Sequence, residues 1–244
     1  LLETAFAGWP AGAPSPAPAP PAAPAARRAV LVERAGAPQT YVMMGMPGIA
    51  RGAADYAAVQ VAFQILGGGS ASRLFRNLRE EKGYTYGTYA RADARKLGGS
   101  SLVVGSVKAA QTREALSALI AEVEALRSHP VSERELEDAR SALVLSLPSD
   151  FATAAGIAGR LAEQVVQGLP DDYWERFADE VRRVTAADVL RVARRDLDLS
   201  RLTTVMVGDP SVEAQLDGLP IGPVEVRPDP GAAAASGTRV GGGG

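Results

Sequence analysis

Arg79 and Tyr86 are the two side chains whose types and spacing could do chemistry together. An arginine offers a planar fork of donors to a carbonyl or a carboxylate. A tyrosine hydroxyl is a neutral donor that can stabilise a developing oxyanion. The two stand seven residues apart in LREEKGYTY. Together they could hold a peptide backbone, yet neither activates water, so a nucleophile has to come from elsewhere. Each also has a structural reading. An arginine at a helix end favours the helix dipole, and a tyrosine in a strand fills half-buried sheet surface.

The elements that must position them lie in GGGSASRLFRNLREEKGYTYGTY, Gly67 to Tyr89. Ser70 is the expected N-cap of a short helix, its hydroxyl taking a free amide of the first turn. Leu74, Phe75 and Leu78 share one helical face, expected to be buried, with Arg79 at its edge. Gly83 stands where a helix C-terminus wants a left-handed residue. Tyr84, Tyr86 and Thr88 are expected on one side of the strand that follows, because strand side chains alternate. The run Gly67, Gly68 and Gly69 could expose amides to an anion. It is neither a P-loop nor a dinucleotide fingerprint, since no Lys-Ser or Lys-Thr closes it and Ser72 stands where a third glycine belongs. Its default role is steric, letting two helices meet at a sharp angle.

Composition removes other chemistries. The chain has 244 residues, 46% of them hydrophobic, with 26 basic and 28 acidic residues for a net charge of -2. No basic stripe marks a nucleic-acid partner. Without cysteine there is no disulfide and no thiolate metal site, and that absence does not fix the compartment. The single histidine, His129, excludes any HExxH or HxxEH pair in this chain. It lies in SHPVS, where a lone loop histidine reads as surface, so no metal ligand set is assigned. No apolar run has transmembrane length.

Seven prolines among alanines fill Pro10 to Ala26. They read as a semi-rigid polyproline II spacer or as a disordered Ala/Pro tract, and a linker either way. The expected organisation is the end of a preceding domain over 1–9, a linker over 10–27, one domain over 28–220 and a disordered tail over 221–244. Within the domain, Ala29–Glu33, Gln39–Met46, Tyr84–Arg95, Ser100–Lys108 and Leu202–Val207 read as strands. Leu97-Gly98-Gly99 is the expected turn of a hairpin. Ala53–Leu66 and Gln111–Arg127 read as helices. Ser132 with Glu135 forms a capping box opening a third, which Pro148 is expected to end or kink. Phe151–Gln167 continues helically, with Gly156 and Gly159 allowing close packing. Asp172–Val181 follows, and Thr185 with Asp188 caps a last helix through Asp196. Trp174, Phe177 and Tyr173 read as a core or interface anchor. The pattern is α+β, a mostly antiparallel or mixed sheet with helices on one face.

LGGGSASRLFRNLREEKGYTYGTYA resembles part of the second homologous domain of the pitrilysin-type zinc peptidases, the family of insulin-degrading enzyme and the mitochondrial processing peptidase. APQTYVMMGMPG resembles that domain's opening strands. HPVSERELEDARSAL, GLPDDYW and VTAADVLRVA before TTVMVGD match its later landmarks in order, and LLETAFAGW resembles the end of the preceding domain. The resemblance implies a two-layer α+β roll. It also implies a zinc site, an inverted HxxEH pair with a distal Glu, in another homologous domain or subunit and not in this chain. Arg79 would orient the peptide substrate, and Tyr86 would steady the oxyanion as the catalytic residue. This chain would then be an enzyme only as part of a zinc metallopeptidase, paired with an HxxEH-bearing partner in a homo- or heterodimer or within one polypeptide. The alternatives are a non-catalytic scaffold subunit, like the core proteins of respiratory complexes that resemble this family, and an anion-binding module using Gly67–Ser70.

Overall fold

Alternating burial builds one six-stranded mixed sheet, in the order β3-β4-β2-β5-β1-β6. The computed structural model describes residues 1–10, 12, 22 and 24–229. The strands are β1 (Arg28–Glu33), β2 (Gln39–Gly48), β3 (Thr85–Arg95), β4 (Gly98–Lys108), β5 (Thr203–Gly208) and β6 (Val224–Arg227). β3, β4, β2 and β5 run antiparallel in turn, while β5 and β6 flank β1 in parallel. Thr40, Val42, Met44 and Met46 of β2 are buried and their alternates are not, the signature of a sheet covered on one face.

That cover is helical. The chain opens with the four-residue α1 (Leu2–Ala5). The larger helices are α2 (Tyr56–Gly67), α3 (Thr112–Ser128), α4 (Glu133–Asp150), α5 (Ala154–Gln167), α6 (Tyr173–Arg183) and α7 (Ala186–Asp196). Leu66, Leu116, Leu119, Leu126 and Val189 are fully buried and join Leu31, Met44 and Met206 of the sheet in one core. The α+β expectation therefore holds. Both capping boxes form, Ser132 with Glu135 and Thr185 with Asp188. Gly168 ends α5 in the left-handed conformation at φ 68°.

Four expectations need correction. Leu97-Gly98-Gly99 is not the hairpin turn: Lys96 and Leu97 make it, and both glycines are already paired in β4. Pro148 does not stop its helix at once. It sits inside α4, which ends at Asp150, and α5 then leaves at 112°. Gly156 does permit a close approach, since a Cβ there would lie 2.3 Å from the Asp150 carbonyl, but nothing approaches Gly159. The stretch expected to be disordered from 221 begins with ordered chain, because Ile221 is fully buried and Val224–Arg227 adds a parallel edge strand to β1. The expected linker falls largely, and the tail from residue 230 wholly, outside the described residues. Among the described residues no single helix is long and apolar enough to cross a membrane.

Candidate functional site

The site is assembled where α2 ends, a short helix turns and β3 begins. Gly67 is the last residue of α2, and a Cβ on it would stand 2.2 Å from the Ala90 amide nitrogen. The run is steric, but the expected partner was wrong: Gly67 lets a helix abut a strand, not a second helix. Gly68 lies close to the Gln64 side chain, whereas Gly69 is nearly open.

Ser70 does not cap the next helix. The Ser72 amide donates to the Gly69 carbonyl at 3.1 Å, which closes a turn and leaves Ser70 outside. The Ser72 carbonyl accepts from the Arg76 amide at 3.1 Å, so Ser72 holds the cap position. Its hydroxyl is buried with no hydrogen-bond partner among the described residues.

The helix then widens. Phe75–Glu81 is wound as a π-helix, with the Lys82 amide donating to the Asn77 carbonyl at 3.1 Å. Such turns recur at functional sites. Leu74 and Leu78 are fully buried. Phe75, expected to be buried with them, is only half-buried. Gly83 adopts φ 63°, as its position demanded. Two polar contacts anchor the segment: Arg73 reaches Glu135 of α4 at 2.7 and 3.1 Å, and Asn77 donates to Glu122 of α3. Partial burial opposes ionisation of Glu135, but Arg73 and the bonds from Ser132 outweigh it and hold the carboxyl at about 2.

Tyr86 does not share a side with Thr88. Thr85 pairs Val107 and Gly87 pairs Ser106, so Tyr86 is the extra residue of a β-bulge. Thr88 is buried while Tyr86 is 80% exposed. Bulges re-aim side chains in this way. Thr85 holds the bulge, its hydroxyl oxygen accepting from the Gly87 amide at 3.0 Å and lying 2.5 Å from the Ser106 carbonyl, to which it donates.

The outcome is a meeting of three side chains. The Arg79 guanidinium carbon lies 4.6 Å from the Phe75 ring centroid and 4.9 Å from that of Tyr86. Both are within cation–π range. Among the described residues, neither the guanidinium nor the Tyr86 hydroxyl has a hydrogen-bond partner, and both are exposed. The structure thus brings the two predicted residues together with their donors free. Phe75 was missed as a participant, although its spacing of four residues from Arg79 places the two on one helix side.

Zinc finds no ligand set among the described residues. Among the described residues no group of three His, Cys, Asp or Glu could hold a metal, and His129 is exposed beyond the end of α3. A second polar cluster, Arg51, was not foreseen. Arg51 is 3% exposed, bonded to Glu163 at 2.8 Å and to the Tyr173 hydroxyl at 2.5 Å, and lies 3.8 Å from the Tyr56 ring centroid. Burial pushes the Tyr173 hydroxyl up to about 12, so it stays a neutral acceptor. The predicted aromatic anchor of Tyr173, Trp174 and Phe177 is the wall of this cluster.

Similarity to known proteins bears on the fold and the family. A solved peptidase M16 inactive domain from Pseudomonas fluorescens superimposes with a TM-score of 0.72 at 28% identity, over 78% of this chain and 45% of that one. An uncharacterized zinc protease of Streptomyces coelicolor is 30% identical over 64% of this chain and 34% of its own length. A non-peptidase homolog of Helicobacter pylori is 22% identical over 64% of this chain and 36% of its own. The chain spans about a third of the length of these two curated relatives. Residues 1–143 match the family described as the peptidase M16 inactive domain, and the chain belongs to that family.

Proposed function

We propose that this chain is the substrate-binding and transition-state-stabilising part of a zinc metalloendopeptidase, completing a site whose HxxEH zinc centre lies in another domain or subunit. The observation that supports it most is the Arg79–Tyr86 pair, held together by stacking and left free to donate outward. The chain's own groups do two things. Arg79 directs its fork to a carbonyl or terminal carboxylate of the peptide and fixes its register. Tyr86 donates to the oxygen that gains charge as the carbonyl becomes tetrahedral. The zinc chemistry belongs to the partner.

Peptide cleavage should appear when the chain is mixed with an HxxEH-bearing partner. Tyr86→Phe should then lower kcat by about 10²–10³, the cost of one oxyanion donor. Unchanged turnover in that variant would remove the claim. A second reading, a non-catalytic scaffold subunit, is favoured by the Helicobacter pylori relative's description as a non-peptidase homolog. A stable complex with no cleavage by any HxxEH partner would select it.

A further inference from the structure

A cavity of about 510 Å³ lies between the end of α2, the turn at Gly69 to Ser72 and the N-terminal half of α4. Neither Arg79 nor Tyr86 lines it. Glu135, Asp138, Ala139 and Ala142 follow one another at three- and four-residue steps, so one side of α4 faces the space. Alanines at 71, 139 and 142 leave open what larger side chains would fill. The volume lies within the range of small-molecule sites.

The charges around it are not all satisfied. Glu135 is occupied, by Arg73 at 2.7 and 3.1 Å and by Ser132 at 2.9 and 3.0 Å. Arg76 reaches the same carboxylate only at 3.9 Å and is exposed, so its guanidinium keeps donors to give. Asp138 meets Arg134 at 3.7 Å, and both are exposed. A loose surface pair of that kind contributes little and is readily exchanged. Ser72 also lines the cavity, is 4% exposed, and has a hydroxyl with no partner among the described residues. A buried hydroxyl left unpaired costs free energy that a polar ligand atom would recover. Ile65 and Ala139 are buried and give the cavity an apolar floor.

This mixture selects the ligand. A simple anion on Arg76 would stand near the carboxylates of Glu135 and Asp138. A simple cation on Asp138 would stand near Arg76 and Arg134. A small zwitterion answers both signs, with its carboxylate on the Arg76 fork and its ammonium on Asp138. An aliphatic side chain on the same molecule would cover the floor.

We propose that this cavity binds a free α-amino acid with an aliphatic side chain. The site is separate from the Arg79–Tyr86 pair, and its test reads binding alone. Calorimetric titration of the whole chain with L-leucine should show one saturable site, and leucine should raise Tm by mass action. Arg76→Gln and Asp138→Asn, both at exposed positions, should each weaken binding by about tenfold or more without changing the Tm of the free protein. Ala142→Phe should block the cavity. N-acetyl-leucine, which lacks the ammonium, and leucinamide, which lacks the carboxylate, should also lose about tenfold or more. No saturable heat at millimolar leucine overturns the proposal. So does N-acetyl-leucine binding as tightly as leucine, or binding indifferent to both charge variants. Binding lost in Arg79→Gln but kept in Arg76→Gln would put the ligand at the pair, and overturns it as well.

Discussion

Gly67→Ala should destabilise this protein although it replaces the poorer helix former. In an open helix interior that change gains up to about 1 kcal/mol. At Gly67 the new Cβ would fall 2.2 Å from the Ala90 nitrogen, 2.8 Å from the Ala90 Cβ and 2.8 Å from the Tyr89 carbonyl carbon. These are mainly backbone atoms of β3, a strand held to β4 along its length, so the obstruction cannot swing aside. Overpacking of this kind costs about 1–3 kcal/mol. Because the clash is with backbone, we take the upper part of that range, a net loss of about 2 kcal/mol after the propensity gain. For a chain of this size that lowers Tm by about 4–8 °C. Gly69→Ala is the internal control. Its nearest neighbour would be Gln64 Nε2 at 3.9 Å, and a change within about 0.5 kcal/mol is expected. Urea unfolding of the three proteins, with equal m-values, provides the comparison. A Gly67→Ala protein as stable as the parent would refute the close-approach argument. So would an equal loss at Gly69.

Other consequences concern single residues. The folded state holds Glu135 at about 2, below its usual carboxylate range, so its contribution is complete near neutrality and is lost as pH falls from about 4.5 to about 2. The parent's advantage over Glu135→Gln should be about 1–2 kcal/mol at pH 7, allowing for solvent screening, and should vanish near pH 2 in urea titrations. Arg51→Ala leaves the Tyr173 hydroxyl without its buried partner and Glu163 with Arg160 alone and should cost about 1.5–3 kcal/mol, read from the same unfolding curves; a loss below about 1 kcal/mol would contradict the importance of the Arg51 bonds. Thr85→Val keeps the shape but removes the hydroxyl that satisfies the bulge. A loss of about 1–3 kcal/mol is expected, along with a fall in any Tyr86-dependent turnover. Tyr86→Phe should leave Tm unchanged, since the hydroxyl is exposed and makes no bond among the described residues.

What could be read from the residues was what depends on local chemistry. Ser132 with Glu135 and Thr185 with Asp188 are caps wherever they stand, because the side chain and the amide it satisfies are three residues apart. Gly83 and Gly168 stop helices for a reason carried by the residue itself. What escaped depends on pairing. β6 was hidden because the glycines and prolines after Leu219 outweighed the short alternation of Val224–Arg227, which becomes a strand only because β1 offers an edge. The π turn has no mark in FRNLREE, since Leu74 and Leu78, four residues apart and both buried, would share one face of an ordinary α-helix as well. The roll of α5 escaped too, since periodicity locates an aliphatic stripe but not the Arg51 that holds its polar side inward.

The pair at Arg79 and Tyr86 exists because two regular elements each depart from regularity on either side of Gly83. Ala90 and Thr88 point towards the helical cover, as the contact of Gly67 with Ala90 shows. Carried back without interruption, that alternation would aim Tyr86 the same way and bury it beneath α2. The bulge inserts one residue and turns it outward instead. On the helical side the segment is wound as a π-helix, with Leu78 buried and with Phe75 and Arg79 on one side. Each departure disturbs a hydrogen-bond ladder, and each is locally repaired, by the Thr85 hydroxyl in the strand and by the Asn77 carbonyl accepting from Lys82 in the helix. The stack itself contributes only about 0.5–1 kcal/mol at an exposed position, and the guanidinium and hydroxyl donors make no bond among the described residues. That is the physical ground for the proposal that the junction is a binding surface.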